Sequence, residues 1–128
     1  MMGYIVVFFG AGIGGALRHG ANMLALRWLG AGFPFGTLFI NILGSFVMGL
    51  LTALFLVKMG LPQHLRLFLT TGLVGGFTTF STFSLEAALL FERGHLLQMA
   101  LYVGGSVLFG IIGFFAAMWI VRSIAGGF

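Results

Sequence analysis

The stretch that decides the fold is Leu67 to Leu85, LFLTTGLVGGFTTFSTFSL, which runs without a charge until Glu86. A run this long is close to the ~20 residues a helix needs to cross hydrocarbon. Its polarity is unusual for such a segment. Seven of the chain's twelve Ser and Thr residues fall in this span: Thr70, Thr71, Thr78, Thr79, Ser81, Thr82 and Ser84. Gly75-Gly76 stands next to Thr78-Thr79, so backbone freedom and competing hydroxyls weaken the helix together. The expectation is a helix broken mid-membrane near residues 75–79. One half then ends in free carbonyls suited to a cation, and the next begins with free N–H groups suited to an anion.

Three further stretches lack charge: Met1–Leu17, Trp28–Val57 and Gly94–Val121. In the whole chain of 128 residues, six Lys or Arg stand against two Glu, with 60% apolar residues and a mean hydropathy of +1.18. A soluble domain carries roughly a quarter charged residues, so a soluble enzyme is excluded. The fold expected is an all-α membrane protein, one four-helix transmembrane domain over residues 1–128. Its spans read as Tyr4–Leu26, Gly36–Val57, Gln63–Phe91 and Leu97–Arg122, separated by glycine- and proline-bearing connections. The first segment lacks the positive start of a signal peptide and reads as a retained span. Cysteine is absent, which removes disulfides and thiolate metal sites. The pI near 10.9 does not mean nucleic acid, because six positives scattered among spans form no basic stripe.

Orientation is finely balanced. Lys58, Arg66 and Arg122 fall on one side of the bilayer, and Arg18, Arg27 and Arg93 on the other. The positive-inside rule has nothing to act on, so the chain reads as able to insert both ways, as an antiparallel homodimer requires. Small residues four apart, such as Gly10 and Gly14 in the first span, let membrane helices approach closely. Gly10-Ala11-Gly12-Ile13-Gly14-Gly15 matches a dinucleotide-binding pattern, but no acid follows before Glu86, and the ribose contact that pattern needs is missing.

The chemistry-bearing residues are mostly neutral. Phe80 and Phe83 are three apart and share a helix face. Aromatic rings have positive edges, which can stabilise a small anion without holding it. Thr37, Asn41 and Ser45, spaced by four, make a polar stripe on the second span, and Tyr102 and Ser106 offer hydroxyls from the fourth. Arg18 either snorkels from a helix end or attracts ions. His19, His64 and His95 have no partners at metal-ligand spacing. Glu86, at the end of the third span, is the sole acid near membrane depth. A cation-coupled antiporter needs a carboxylate deep in a span; hydroxyls, an amide and ring edges suit a small, strongly hydrogen-bond-accepting anion.

With Gly36-Thr37-Leu38-Phe39-Ile40-Asn41 and Gly14-Gly15-Ala16-Leu17-Arg18, the motif Gly75-Gly76-Phe77-Thr78-Thr79-Phe80-Ser81-Thr82-Phe83-Ser84 resembles the Fluc (CrcB-type) fluoride channels of bacteria over essentially the whole chain. The resemblance implies a dual-topology antiparallel homodimer in the bacterial inner membrane, with two fluoride pores that passively lower cytoplasmic fluoride. It implies a structural Na⁺ at the dimer centre, held by the backbone carbonyls of Gly75 and Thr78. Phe80 and Phe83 would be the ring edges along each pore and Asn41 a donor to fluoride. Ser81, Thr82 and Tyr102 would form a polar track, with Ser106 a further donor and Arg18 and Glu86 at the vestibules. Phe77 and His19 depart from the family's commoner residues. A small multidrug-type antiporter and a non-conducting membrane assembly protein are the competing readings.

Overall fold

In a bilayer no water satisfies the amides of an apolar run, so the chain must close its hydrogen bonds internally, and it does so as helix. The computed structural model describes residues 1–58 and 60–126. Helix α1 spans Met2–Leu29, and α2 Phe35–Val57 after Pro34. The third crossing is composite. It begins with α3 (Gln63–Leu67), passes through a π-helical stretch (Phe68–Val74) into the single turn α4 (Gly75–Phe77), and resumes as α5 (Phe80–Glu92). Helix α6 (Leu96–Ile124) completes the chain. Among the described residues there is no strand. Gly30 and Gly94 take φ of 77° and 78° at the turns after α1 and α5, a conformation that side chains resist.

Among the described residues, three helical segments are long and apolar enough to cross a membrane: Phe35–Val57, Gln63–Glu92 and Leu96–Ile124. Helix α1 has 28 residues, which at 1.5 Å per residue is ample length. Arg18, His19 and Asn22 in its second half dilute its apolar character. Of these, Arg18 reaches the third crossing's backbone at Gly76, and Asn22 lies against Gly36 of α2.

The packing of α1 on the third crossing is a backbone-to-backbone approach. A methyl built on Gly10 would lie 2.7 Å from the Phe68 carbonyl oxygen. One on Gly14 would collide with the Leu73 carbonyl and the Phe77 amide. Across the contact, a methyl on Gly76 would lie 2.5 Å from the Ala11 carbonyl oxygen. Without a hydrophobic driving force between helices in lipid, such close van der Waals contact holds membrane helices together. We expect Gly14→Ala to destabilise the fold by ~1–3 kcal/mol through overpacking. Gly12→Ala, with nothing within 4 Å, should stay within ~0.5 kcal/mol; denaturant unfolding in detergent compares the two. On the opposite side α2 packs along α6, with Gly49 against the Phe114 carbonyl and Ala117. Ala53 and Ala117 are fully buried in that seam.

The glycines of the third crossing do something other than the sequence suggests. Gly75 keeps helical dihedrals (φ −60°, ψ −37°), and Gly76 serves the close approach to Ala11. Helical geometry is lost two residues later. Thr78 (φ −81°, ψ 160°) and Thr79 (φ −153°, ψ 121°) are extended. The hydroxyl competition weighed in the sequence operates at these threonines, and the glycines provide room. The π-helical stretch was not expected; such segments widen the turn and recur at functional sites.

Large apolar side chains cover the outer surface of the molecule, among them Phe8, Phe39, Leu97, Phe109 and Phe115. A soluble monomer rarely exposes contiguous apolar area of this extent; lipid or a partner chain accommodates it.

Candidate functional site

The interruption at Thr78 and Thr79 frees backbone groups that must find partners. Asn41, half-buried on α2, takes both of Thr79's. The Thr79 N–H donates to Asn41 Oδ1 at 2.8 Å, and Asn41 Nδ2 donates to the Thr79 carbonyl at 2.9 Å. One carboxamide thereby replaces two helix bonds at a residue only 8% exposed. The Thr78 amide and hydroxyl both donate to the Val74 carbonyl, at 3.0 and 3.2 Å. The Arg18 Nε donates to the Gly76 carbonyl at 3.2 Å. The Thr79 hydroxyl caps α5, accepting from the Thr82 N–H at 3.2 Å, as an N-cap side chain does. Gly44, one turn beyond Asn41 on α2, leaves space for the Thr78 methyl group.

Some groups at the interruption remain open. The carbonyls of Gly75 and Thr78 accept none of the side-chain or inter-element bonds found among the described residues. Gly75 is also exposed on the outer face of the chain. Among the described residues no group of three or more His, Asp or Glu could hold a metal ion, so a resident cation would rest on main-chain oxygens. These carbonyls lie near a helix end, where the dipole is negative.

A cavity of about 350 Å³ opens against the interruption, lined by Asn41, Ser45, Thr78, Thr79, Phe80, Phe83 and Ser106 among others. The Phe80 and Phe83 rings stand 5.6 Å apart at 44°. Phe80 is 78% exposed, whereas Phe83 is half-buried with its ring 5.1 Å from that of Tyr102. The Ser106 Oγ is buried, with no hydrogen-bond partner among the described residues. In a low-dielectric surrounding an unmet hydroxyl is costly unless something fills its place. Ser81 is exposed, its hydroxyl 3.4 Å from that of Thr79.

Polar groups continue inward past the rings. Tyr102 is fully buried, and its hydroxyl donates to Glu86 Oε1 at 3.2 Å. The Thr37 side chain, also buried, meets the same phenol. Phe33, from the α1–α2 connection, covers Tyr102 edge-on at 5.7 Å. Glu86 and Thr82 face a second cavity, of about 410 Å³, together with Thr37, His19, Asn22 and Arg93. Polar groups and aromatic rings therefore run from Ser106 and Asn41, past Phe83 and Tyr102, to Thr37 and Glu86.

The structure gathers Asn41, Phe80, Phe83 and Ser106 around one cavity and Thr82 and Glu86 around the next, with the Tyr102 hydroxyl donating to Glu86 from behind its wall. Arg18 is turned onto the third crossing's backbone, and Gly75 faces a different hollow beside Thr70, Thr71 and Arg66. Sequence reasoning placed Thr37 in a polar stripe without a function, and it missed Phe33 altogether. The four-residue spacing of Thr37 to Asn41 was visible; the phenol that Thr37 meets lies on another helix, which spacing cannot reveal.

The chain matches the family model described as CrcB-like protein, Camphor Resistance (CrcB), over residues 5–118. It is 55% identical over 127 residues to the fluoride-specific ion channel FluC of Granulibacter bethesdensis, covering 99% of this chain and 100% of that protein. It is 62% identical over 122 residues to the protein of the same name from Methylobacterium nodulans, covering 95% and 98%. That of Rhodopseudomonas palustris is 53% identical, with 96% and 99% covered. With its apolar crossings, the chain is a multi-pass membrane protein, and it belongs to the CrcB-like family.

Proposed function

We propose that the protein is a passive, fluoride-selective ion channel that lowers cytoplasmic fluoride. The observation that carries the reading is the line of uncharged donors and ring edges from Ser106 and Asn41 to Tyr102. The names borne by relatives more than half identical over nearly their full length support it. Fluoride accepts hydrogen bonds strongly, so hydroxyls and ring edges can replace its water, while the absence of a fixed cation on the track lets it leave. Asn41 keeps one N–H beyond its bond to Thr79, since a carboxamide carries two; that second N–H is its donor to the ion. Phe80 and Phe83 contribute ring edges, Ser81, Thr82 and Tyr102 the polar track, and Ser106 its unmet hydroxyl. Arg18 and Glu86 take the vestibule positions. No bond is made or broken in this passage, and the protein is not an enzyme.

The assembly that fits is an antiparallel homodimer in the bacterial inner membrane, with α1 as a fourth span and the third span working as a broken helix. The even split of positives leaves the chain free to insert both ways, and two copies supply two pores. The open carbonyls of Gly75 and Thr78 would hold a Na⁺ between protomers, where the ion supplies a fixed positive charge that ties the two interruptions together. A cation-coupled antiporter is disfavoured because Glu86, the one acid near membrane depth, is engaged by Tyr102. A purely structural assembly protein would not need Ser106's buried, unmet hydroxyl.

Fluoride release from proteoliposomes, followed with a fluoride electrode, tests the reading; release no faster than from protein-free vesicles overturns it. Within it, Tyr102→Phe removes the donor to Glu86 and should lower release about fivefold to tenfold. Its cost in stability should be only ~1 kcal/mol, the worth of one hydrogen bond. Equal release by the variant would take the phenol out of the track.

A further inference from the structure

The second cavity carries a feature that conduction along the track does not use. Its wall is one face of α5: Thr82, Glu86, Leu89, Leu90 and then Arg93 at the helix end. These positions recur at three- and four-residue spacing, so they stack along a single side of the helix. Arg93 follows Glu86 by seven residues, about 10 Å along the axis at 1.5 Å each. The opposite wall is the α1–α2 connection, Gly30 to Phe35, with His19, Asn22 and Met23 of α1. Both walls lie at the same end of the molecule, because α1 ends and α2 begins where α5 ends and α6 begins. The inner end of the cavity reaches Thr37 and Glu86, which meet Tyr102. It is thus continuous with the polar track.

The charges in it are unequal in their engagement. The Glu86 carboxylate accepts from Tyr102 at 3.2 Å. The Arg93 guanidinium forms no ion pair and no side-chain hydrogen bond among the described residues. An anion approaching Glu86 from water meets a repulsive carboxylate, and a free guanidinium at the rim offsets it. A cleft with low-dielectric walls focuses such a field and raises the local concentration of the opposite ion.

We propose that Arg93 is an anion-recruiting residue at this mouth of the pore, drawing hydrated fluoride into the cavity between the α1–α2 connection and α5. The proposal rests on the channel reading above. Arg93 acts by long-range attraction and does not touch the ion at the rings, so its effect belongs to capture and not to passage. A guanidinium that merely compensates the negative end of α5 would leave capture unchanged.

The test is fluoride release from proteoliposomes by the full-length protein, Arg93→Lys and Arg93→Glu, at about 20 mM and about 500 mM of an impermeant salt. The Debye length shrinks from ~20 Å to ~4 Å over that range. Steering by a cleft changes capture by about tenfold or more, so Arg93→Glu should slow release about threefold to tenfold at low salt. The deficit should close to within twofold at high salt, with Arg93→Lys close to the unsubstituted protein in both. Unchanged release by Arg93→Glu at low salt overturns the proposal. So does an equal loss at both salt concentrations, which would mark a structural defect. Absence of fluoride release by the unsubstituted protein is a different outcome; it would overturn the channel reading itself.

Discussion

Replacing Phe80 or Phe83 with Ile will slow fluoride release about fivefold to tenfold while the protein stays folded. An aromatic edge contributes ~1 kcal/mol or somewhat more to a well-placed contact, and 1.36 kcal/mol corresponds to tenfold in rate. Isoleucine keeps much of the apolar bulk but has no positive edge to present. Phe80 separates this effect from folding most cleanly, because at 78% exposure its ring supports little of the chain's own core. Phe83 also packs on Tyr102, with centroids 5.1 Å apart, so its replacement should loosen the phenol and cost some stability as well. Initial release rates, set beside size-exclusion profiles of the same preparations, distinguish slowed conduction from misassembly. Unaltered rates in both variants would remove ring edges from the mechanism.

The second large effect is expected at Asn41. Alanine there deletes the acceptor for the Thr79 N–H and the donor to the Thr79 carbonyl together. Each buried group left unpaired costs ~1–3 kcal/mol, and no water reaches it from lipid. Asn41→Ala should therefore lose ~2–6 kcal/mol of stability and abolish release. Ser45→Ala, one turn along the same face and without a hydrogen bond to the interruption, should leave stability within ~0.5 kcal/mol. Denaturant unfolding in detergent reads both. If Asn41→Ala unfolds with the unsubstituted protein, the carboxamide does not hold the interruption open.

The architecture was legible because membrane helices are announced by what they lack. Charge-free runs marked the crossings, and span ends placed at Gly36, Val57, Gln63 and Leu97 fall within a residue of the helices observed. Helix α1 was harder, since Arg18, His19 and Asn22 make its second half polar, and the partner of Arg18, the Gly76 carbonyl, lies on another element. The extended backbone at Thr78 and Thr79 lies inside the hydroxyl cluster, but the part given to the neighbouring glycines does not hold. Gly75 and Gly76 looked like points of freedom, yet one is helical and the other is pressed against Ala11. Sequence states that a residue lacks a side chain, not what approaches the vacated space.

The candidate site divides along the same line. Asn41, Phe80 and Phe83 stood out because an amide and paired rings beside a polar stretch are rare within a membrane span. The bond from Asn41 to Thr79 joins residues 38 apart, and the meeting of Thr37, Tyr102 and Glu86 draws on three helices. Helical periodicity fixes what shares a face on one element, and says nothing of which faces meet. The π-helical stretch from Phe68 to Val74 has no compositional signature that distinguishes it from ordinary helix.

The central claim is that a track of neutral donors and ring edges conducts fluoride passively and uncoupled from any other ion. Proteoliposomes loaded with potassium fluoride and potassium chloride, diluted into impermeant salt, test it most directly when release is measured before and after a potassium ionophore is added. A channel of the kind described here releases little until the ionophore relieves the opposing membrane potential, then releases fluoride while chloride stays inside. Sustained fluoride release without the ionophore, or chloride leaving alongside fluoride, would contradict it.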